Sequence, residues 1–237
     1  FRNGVSNNVN YNITIGRNSV DQINFPRQGS NFLLTLKLSP PYSMFDDIDD
    51  YTSLTDQEKY KWVEYYKWKF KATWFSPFTE KLILATKTEF GFLGAYNQEL
   101  GISPFERFYV GGDGLSGMGY MNDGRELVAL RGYSNNSLSP QTGATIYNKY
   151  TAEIRYALSL NPTSTMYALA FLEAGNAWEE FDNFNPFGVK RSVGIGVKIM
   201  LPMIGMMGLD YGWGLDEVIG NPEANGGQFH FSIGQNF

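Results

Sequence analysis

Residues 65–75 alternate large rings with lysines. Tyr66, Trp68, Phe70, Ala72 and Trp74 fall on one parity, and Lys67, Lys69 and Lys71 on the other. A helix would scatter three lysines at that spacing around its circumference. A strand lines them along one face and the rings along the opposite one. Such a strand needs an apolar medium on one side and water or counter-charge on the other, so the segment restricts the chain to β-structure with two unlike surfaces.

The same two-residue period recurs along the chain, giving nine strand-like segments in all. In 9–16, Val9, Tyr11, Ile13 and Ile15 oppose Asn10, Asn12 and Thr14. In 30–38, Phe32, Leu34, Leu36 and Leu38 oppose Asn31, Thr35 and Lys37. Leu82, Leu84, Phe90 and Phe92 of 81–92 oppose Lys81, Lys87 and Glu89. Tyr150, Ile154, Tyr156 and Leu158 of 149–158 oppose Lys149, Thr151, Glu153 and Arg155. Segment 165–175 is apolar on both faces until Glu173, so alternation does not set its register. In 190–199, Arg191, Val193, Ile195, Val197 and Ile199 oppose Lys190, Ser192, Gly194, Gly196 and Lys198. Met207, Leu209, Tyr211 and Trp213 share a face of 206–214, as do Phe229, Phe231, Ile233 and Phe237 of 228–237.

Connections alternate in length. Short turns fall at 76–80, 161–164 and 201–205, and long connections at 39–64, 93–148, 176–189 and 215–227. Short turns at one end and long loops at the other are the habit of outer-membrane barrels. A soluble sandwich shares the short strands, but it does not give whole faces to rings while lining the others with Lys67, Lys69, Lys71, Lys87, Glu89, Glu153, Arg155 and Lys198. Composition agrees, with 16% aromatic residues against 18% charged. No stretch approaches the roughly 20 apolar residues of a spanning helix, which leaves strands as the way through a bilayer.

The fold expected is therefore all-β, a transmembrane antiparallel β-barrel. Bacterial single-chain barrels carry an even strand count, so nine strands read as part of a larger barrel whose other strands lie upstream. Phe1 starts inside an alternating pattern, with no charged n-region or apolar h-region before it, and an N-terminal portion is expected to precede it.

Other chemistry finds little support. A net charge of -5 offers no basic surface for nucleic acid, and the absence of cysteine removes disulfide and thiolate chemistry. Gly112-Asp113-Gly114-Leu115-Ser116-Gly117 fits GxGxxG, but Gly119, Asn122, Asp123 and Gly124 break the helix that would have to follow. Ser116 is outside any GxSxG context, and His230 is the only histidine available to activate it. The acidic run Asp46, Asp47, Asp49, Asp50 places Glu58 at the twelfth position of a calcium loop counted from Asp47, but Thr52 stands where that loop needs glycine. His230 alone makes no zinc site, and its parity puts it on the luminal face as a satisfied histidine. Neither a catalytic constellation nor a metal site emerges.

Four local matches, in order, cover the chain. FPRQGS at 25–30 is similar to a periplasmic FPxxGS turn. PFERFYVGG at 104–112 followed by RGY at 131–133 is similar to a long extracellular loop that folds back into the lumen with an Arg-Gly-aromatic tip. FLEAGNAW at 171–178 is similar to a D-x-G-x-x-W strand end, with Glu173 for the usual Asp. VGIGVKIMLP at 193–202 and QFHFSIGQNF at 228–237 are similar to last strands with a terminal aromatic. By these motifs the chain resembles the BamA family of outer-membrane β-barrel assembly proteins. The departures are an insertion at 113–130 and a long 39–64 connection, in which TDQEKYKWVEYYKW suggests a helical turn.

The resemblance implies that residues 1–237 are the C-terminal part of a barrel of about sixteen strands, with an extracellular loop at 93–148 folded into the lumen. It implies a Gram-negative outer-membrane location and an activity that is not enzymatic: folding and inserting other barrels through a lateral seam, without cofactor or metal. Partners would be outer-membrane lipids, nascent β-barrel clients and accessory lipoproteins. Arg131, Gly132 and Tyr133 would lock the loop, with Arg131 held by Glu153 and Glu173. Phe229, Phe231, Ile233, Gly234 and Phe237 would belong to a weakly paired terminal strand, which Gln235 and Asn236 would weaken further. The alternatives are a protein-secretion pore of the same superfamily, the barrel domain of a patatin-like lipase, and a passive porin, the last disfavoured by the Arg-Gly-Tyr loop.

Overall fold

The computed structural model describes residues 5–46, 48, 50–115, 124–161 and 164–234. Strands β1 (Tyr11–Asn18), β2 (Gly29–Leu38), β3 (Tyr66–Pro77) and β4 (Leu82–Gly94) come first. Two short strands, β5 (Phe108–Val110) and β6 (Glu126–Val128), lie inside the longest connection. Strands β7 (Ile146–Ser159), β8 (Met166–Trp178), β9 (Lys190–Leu201), β10 (Gly205–Gly214) and β11 (Gly227–Ile233) complete the chain. All but β5 and β6 form one nine-stranded sheet in the order β1-β2-β3-β4-β7-β8-β9-β10-β11. Every neighbouring pair in it is antiparallel. All nine strand segments expected from alternation are present, and no helix among the described residues is long and apolar enough to cross a membrane.

Burial is inverted relative to a water-soluble protein. Trp68, Phe70, Trp74, Ile154, Tyr156, Ile195, Leu209, Trp213 and Phe229 are exposed on one face. Lys67, Glu153, Arg155, Glu173, Lys198 and Asp210 are buried on the other. An antiparallel sheet with rings outward and ions inward is the wall of a barrel that faces hydrocarbon outside. Ala72 shares the outer parity yet is covered; it sits opposite Phe32, whose ring meets Trp74 edge-on at 4.7 Å.

The inner face is layered. Toward the short turns, Tyr167, Leu169 and Phe171 join Phe75, Ile83, Ala85, Ala157 and Met206 in an apolar cluster. This settles the register of 165–175: Tyr167, Leu169, Phe171 and Glu173 point inward, and Leu172 outward. The β1–β2 turn contributes Phe25, whose ring reaches Tyr167 of β8 at 5.3 Å between centroids. That turn contains the FPRQGS match. Asp21 Oδ1 accepts from the Arg27 and Gln28 amides, and Gly29 at φ +102 lies so close to the Ser19 carbonyl that no side chain fits there.

Toward the long loops, a second apolar cluster joins sheet to loop. Tyr65, Leu93, Tyr147 and Ala177 of the wall pack with Phe108, Val110, Val128, Leu130, Tyr133 and Leu138 of the 95–145 connection. The sequence reading contained no strands here, because β5 and β6 are too short to show a period; they pair in parallel, Tyr109 opposite Leu127. The 39–64 connection does contain a helical turn, α1 (Asp56–Lys59), with a Thr55–Glu58 capping box. Of the residues considered above, Asp47, Asp49, Ser116, Gly117, Gly119, Asn122, Asp123, Gln235, Asn236 and Phe237 lie outside the described residues.

Candidate functional site

Between the two apolar layers lies a band of buried ions, and the loop tip sits in it. Leu130 is tied to Gly112 by reciprocal backbone hydrogen bonds of 3.1 and 3.2 Å, which delivers Arg131 to the inner face. Arg131 Nη2 lies 2.7 Å from both Glu153 Oε1 and Glu173 Oε1. Its backbone N–H donates to Glu173 Oε2 at 2.8 Å, and Nη1 is 3.5 Å from Asp210 Oδ2. Its Cζ stands 3.5 Å from the Phe171 ring centroid. Burial opposes the charge on Arg131, but Glu173, Glu153 and Asp210 outweigh it and raise its pKa above the ordinary arginine value. The carboxylates are themselves shared: Glu153 with Arg155 at 2.6 Å, Glu173 with Lys149 at 3.0 Å, and Asp210 with Lys198 at 2.7 Å.

Gly132 passes directly over β10. At φ +87, a Cβ on it would come within 2.6 Å of the Gly214 amide nitrogen and 2.7 Å of the Trp213 carbonyl carbon. Only glycine permits both the left-handed conformation and that approach. Gly132 N–H donates to His230 Nε2 at 2.7 Å, which ties the tip to β11. Tyr133 is fully buried; its hydroxyl donates to the Arg191 carbonyl at 2.7 Å and accepts from the Asp216 N–H at 3.3 Å. Burial pushes the Tyr133 phenol pKa up. Ser134 N–H then bonds the Ala224 carbonyl at 2.8 Å, so the tip also pairs with the β10–β11 connection.

The structure thus brings Arg131, Gly132, Tyr133, Glu153 and Glu173 together, and adds residues that the sequence reading did not assign to the tip. Asp210, His230 and the Phe171 platform join it from β10, β11 and β8. For Asp210 and His230 inward parity was the available signal, whereas Phe171 lies in a segment without alternation; what was missing for all three was a reason to link them to a loop distant in sequence. A second anchor was also missed. Glu106, at φ +66 within PFERFYVGG, is 2.7 Å from Lys37 and accepts on its carbonyl from Lys67 at 2.8 Å. Glu126 of β6 lies 2.8 Å from both Lys67 and Lys69. The lysine row of β3 therefore faces loop carboxylates as well as water.

In β11, Phe229, Phe231 and Ile233 are exposed on the outer face, and the strand pairs with β10 from Gly227 to Ile233. Gly234 lies beyond the strand rather than within it: its φ is +64, and its N–H donates to the Met206 carbonyl at 2.7 Å. Among the described residues no group of three or more His, Cys, Asp or Glu side chains could hold a metal ion.

The Omp85 superfamily domain matches residues 2–237. No curated protein sequence matches the chain. Among solved structures, the chain is similar to BamA from Haemophilus ducreyi lacking POTRA domains 1–3, with a TM-score of 0.61 and 19% identity. The alignment covers 93% of this chain and 41% of that one, so this chain spans less than half of that structure. At that identity the likeness speaks for the fold, and the family match speaks for membership. The chain belongs to the Omp85 superfamily and is a barrel-type outer-membrane protein.

Proposed function

We propose that this protein folds and inserts other β-barrel proteins into a Gram-negative outer membrane, by a non-enzymatic route that needs no cofactor. In this reading residues 1–237 are the C-terminal part of the barrel, and 93–148 is an extracellular loop folded into the lumen. The observation that carries it is the Arg131-Gly132-Tyr133 tip, bound to β8, to β10 and to β11 at once. A pore needs its lumen clear; here the inner face is occupied by a loop whose tip contacts every strand from β7 to the terminal β11.

The physical logic is strand addition. Backbone groups in hydrocarbon must be paired, so a strand edge exposed at a seam recruits an incoming strand. Phe229, Phe231 and Ile233 point outward, so the terminal strand presents an apolar face to lipid where such a seam would open. Clients would be nascent barrels, with outer-membrane lipids and accessory lipoproteins as further partners. The test is reconstitution of the full-length protein in liposomes with an unfolded barrel substrate. The reading expects folded, membrane-inserted substrate at a rate well above protein-free liposomes. Substrate delivered into the vesicle interior would instead assign a secretion pore, and ion flux without either would assign a porin.

A further inference from the structure

The contact between Gly132 N–H and His230 Nε2 has a chemical condition attached. The imidazole can accept that hydrogen bond only when neutral, with its proton on Nδ1. Protonated at both nitrogens, it would point N–H at N–H. A second observation lies beside it. Asp210 is the register partner of His230 on β10, both are buried on the inner face, and Asp210 Oδ1 accepts no hydrogen bond among the described residues. Register partners on one face of an antiparallel pair stand within side-chain reach. The neutral state thus satisfies the Gly132 amide and leaves an orphaned carboxylate oxygen, an arrangement that costs stability at a buried site.

From this geometry we propose that His230 is a positioning residue that latches the loop tip to the terminal strand when neutral, and releases it when protonation turns the ring toward Asp210. The charged groups around the imidazole are Asp210 on β10, Glu173 on β8, and Arg131 and Asp113 on the loop, with Lys198 of β9 bonded to Asp210 and Ser232. Glu173 is already shared between Arg131 and Lys149, so Asp210 Oδ1 is the acceptor to which an imidazolium can turn. Asp210 now leans over Gly196 toward Lys198, and a side-chain rotation would bring it round. Release of Gly132 removes the contact between tip and β11 while leaving the Arg131 ion pairs to Glu153 and Glu173 in place. The structural part stands on the contacts alone; its consequence, that acid couples tip release to seam opening, rests on the assembly function proposed above. The sign is set by the neutral form. The latch holds while the imidazole is neutral and is lost as the pH falls through its titration.

The experiment is amide hydrogen exchange at Gly132 in the full-length protein in proteoliposomes, from pH 8 to pH 4.5, normalised to intrinsic rates. Protection should fall by about tenfold per pH unit below one midpoint. His230→Gln supplies a non-titrating acceptor and should keep protection flat across the range; His230→Leu should lack it throughout. A flat wild-type profile, or the same acid step in His230→Gln, overturns the latch. Client insertion measured on the same samples separates the two ideas. An exchange step present only with histidine, in a protein that inserts no client at any pH, supports the latch and counts against the assembly function.

Discussion

Arg131 and Phe171 meet with the guanidinium carbon 3.5 Å from the ring centroid, and Phe171 stands two residues before Glu173 on the same face of β8. One strand therefore supplies both an apolar platform and a counter-charge for the loop tip. A desolvated cation–π contact is worth about 2 kcal/mol, and removing one partner of a buried ion pair costs about 3–5 kcal/mol. Arg131→Ala, which strips Glu153 and Glu173 of a shared donor, should lower barrel stability by an amount in that range. Arg131→Lys keeps the charge but loses the planar fork and should fall between. Denaturant unfolding in detergent micelles checks the order; equal stability of wild type and Arg131→Ala would show that the tip carries no load.

Gly132→Ala tests the backbone approach rather than the charge. A Cβ there meets the β10 backbone, not a flexible side chain, so the tip must lift. Tyr133 should then lose its bonds to Arg191 and Asp216, and the 130–134 segment should become accessible to protease. An alanine variant with an unchanged cleavage pattern would contradict the packing described here.

The two faces of β3 make a prediction about the medium on each side. Trp68 is exposed outward, whereas Lys69 points inward to Glu126. A lysine on the lipid face at mid-bilayer would cost roughly 2–4 kcal/mol, so the register is strongly set. Spin labels at the two positions should respond oppositely to a lipid-soluble and a water-soluble relaxation agent. Matching responses would remove β3 from the membrane.

Much of the fold was legible because each strand has unlike neighbours on its two sides. Alternation in 65–75 identified both faces at once, and the contact of Arg131 with Glu153 and Glu173 followed from parity together with the family resemblance. Legibility failed where physics removes the pattern. Segment 165–175 is apolar on both faces because its inner half meets Phe25 and Phe75 rather than water, so no alternation could reveal which half that was. Strands β5 and β6 are three residues each, below the length at which a period shows. His230 and Asp210 read as ordinary inward residues, since a loop residue 98 positions away in the chain supplies the contact that defines His230.

Acid should act at a second place, lower in pH. Hydrogen bonds from Arg191, which outweigh partial burial, hold the Asp216 carboxyl below its ordinary pKa, and the same residue donates its N–H to Tyr133. A depressed carboxylate contributes above its unfolded pKa, about 3.9, and the contribution is lost as the pH falls through the lower folded value. Loosening of the β10–β11 connection should therefore appear only below about pH 4 in the wild type, and Asp216→Asn should be loose at every pH with no acid step. A step well above pH ~4 in this region that survives His230→Gln would contradict that assignment.

The seam is the centre of the functional account. Residues 1–237 contain no cysteine, so engineered pairs within them have no competing thiol there. The decisive measurement joins β11, through a cysteine at an inner-face position such as Ser232, to the strand it meets across the barrel closure. Client insertion is then followed in reconstituted membranes with the staple oxidised and reduced. The account predicts a folded protein that inserts clients only when reduced. Insertion at the unstapled rate by the oxidised form would show that clients do not enter through this edge.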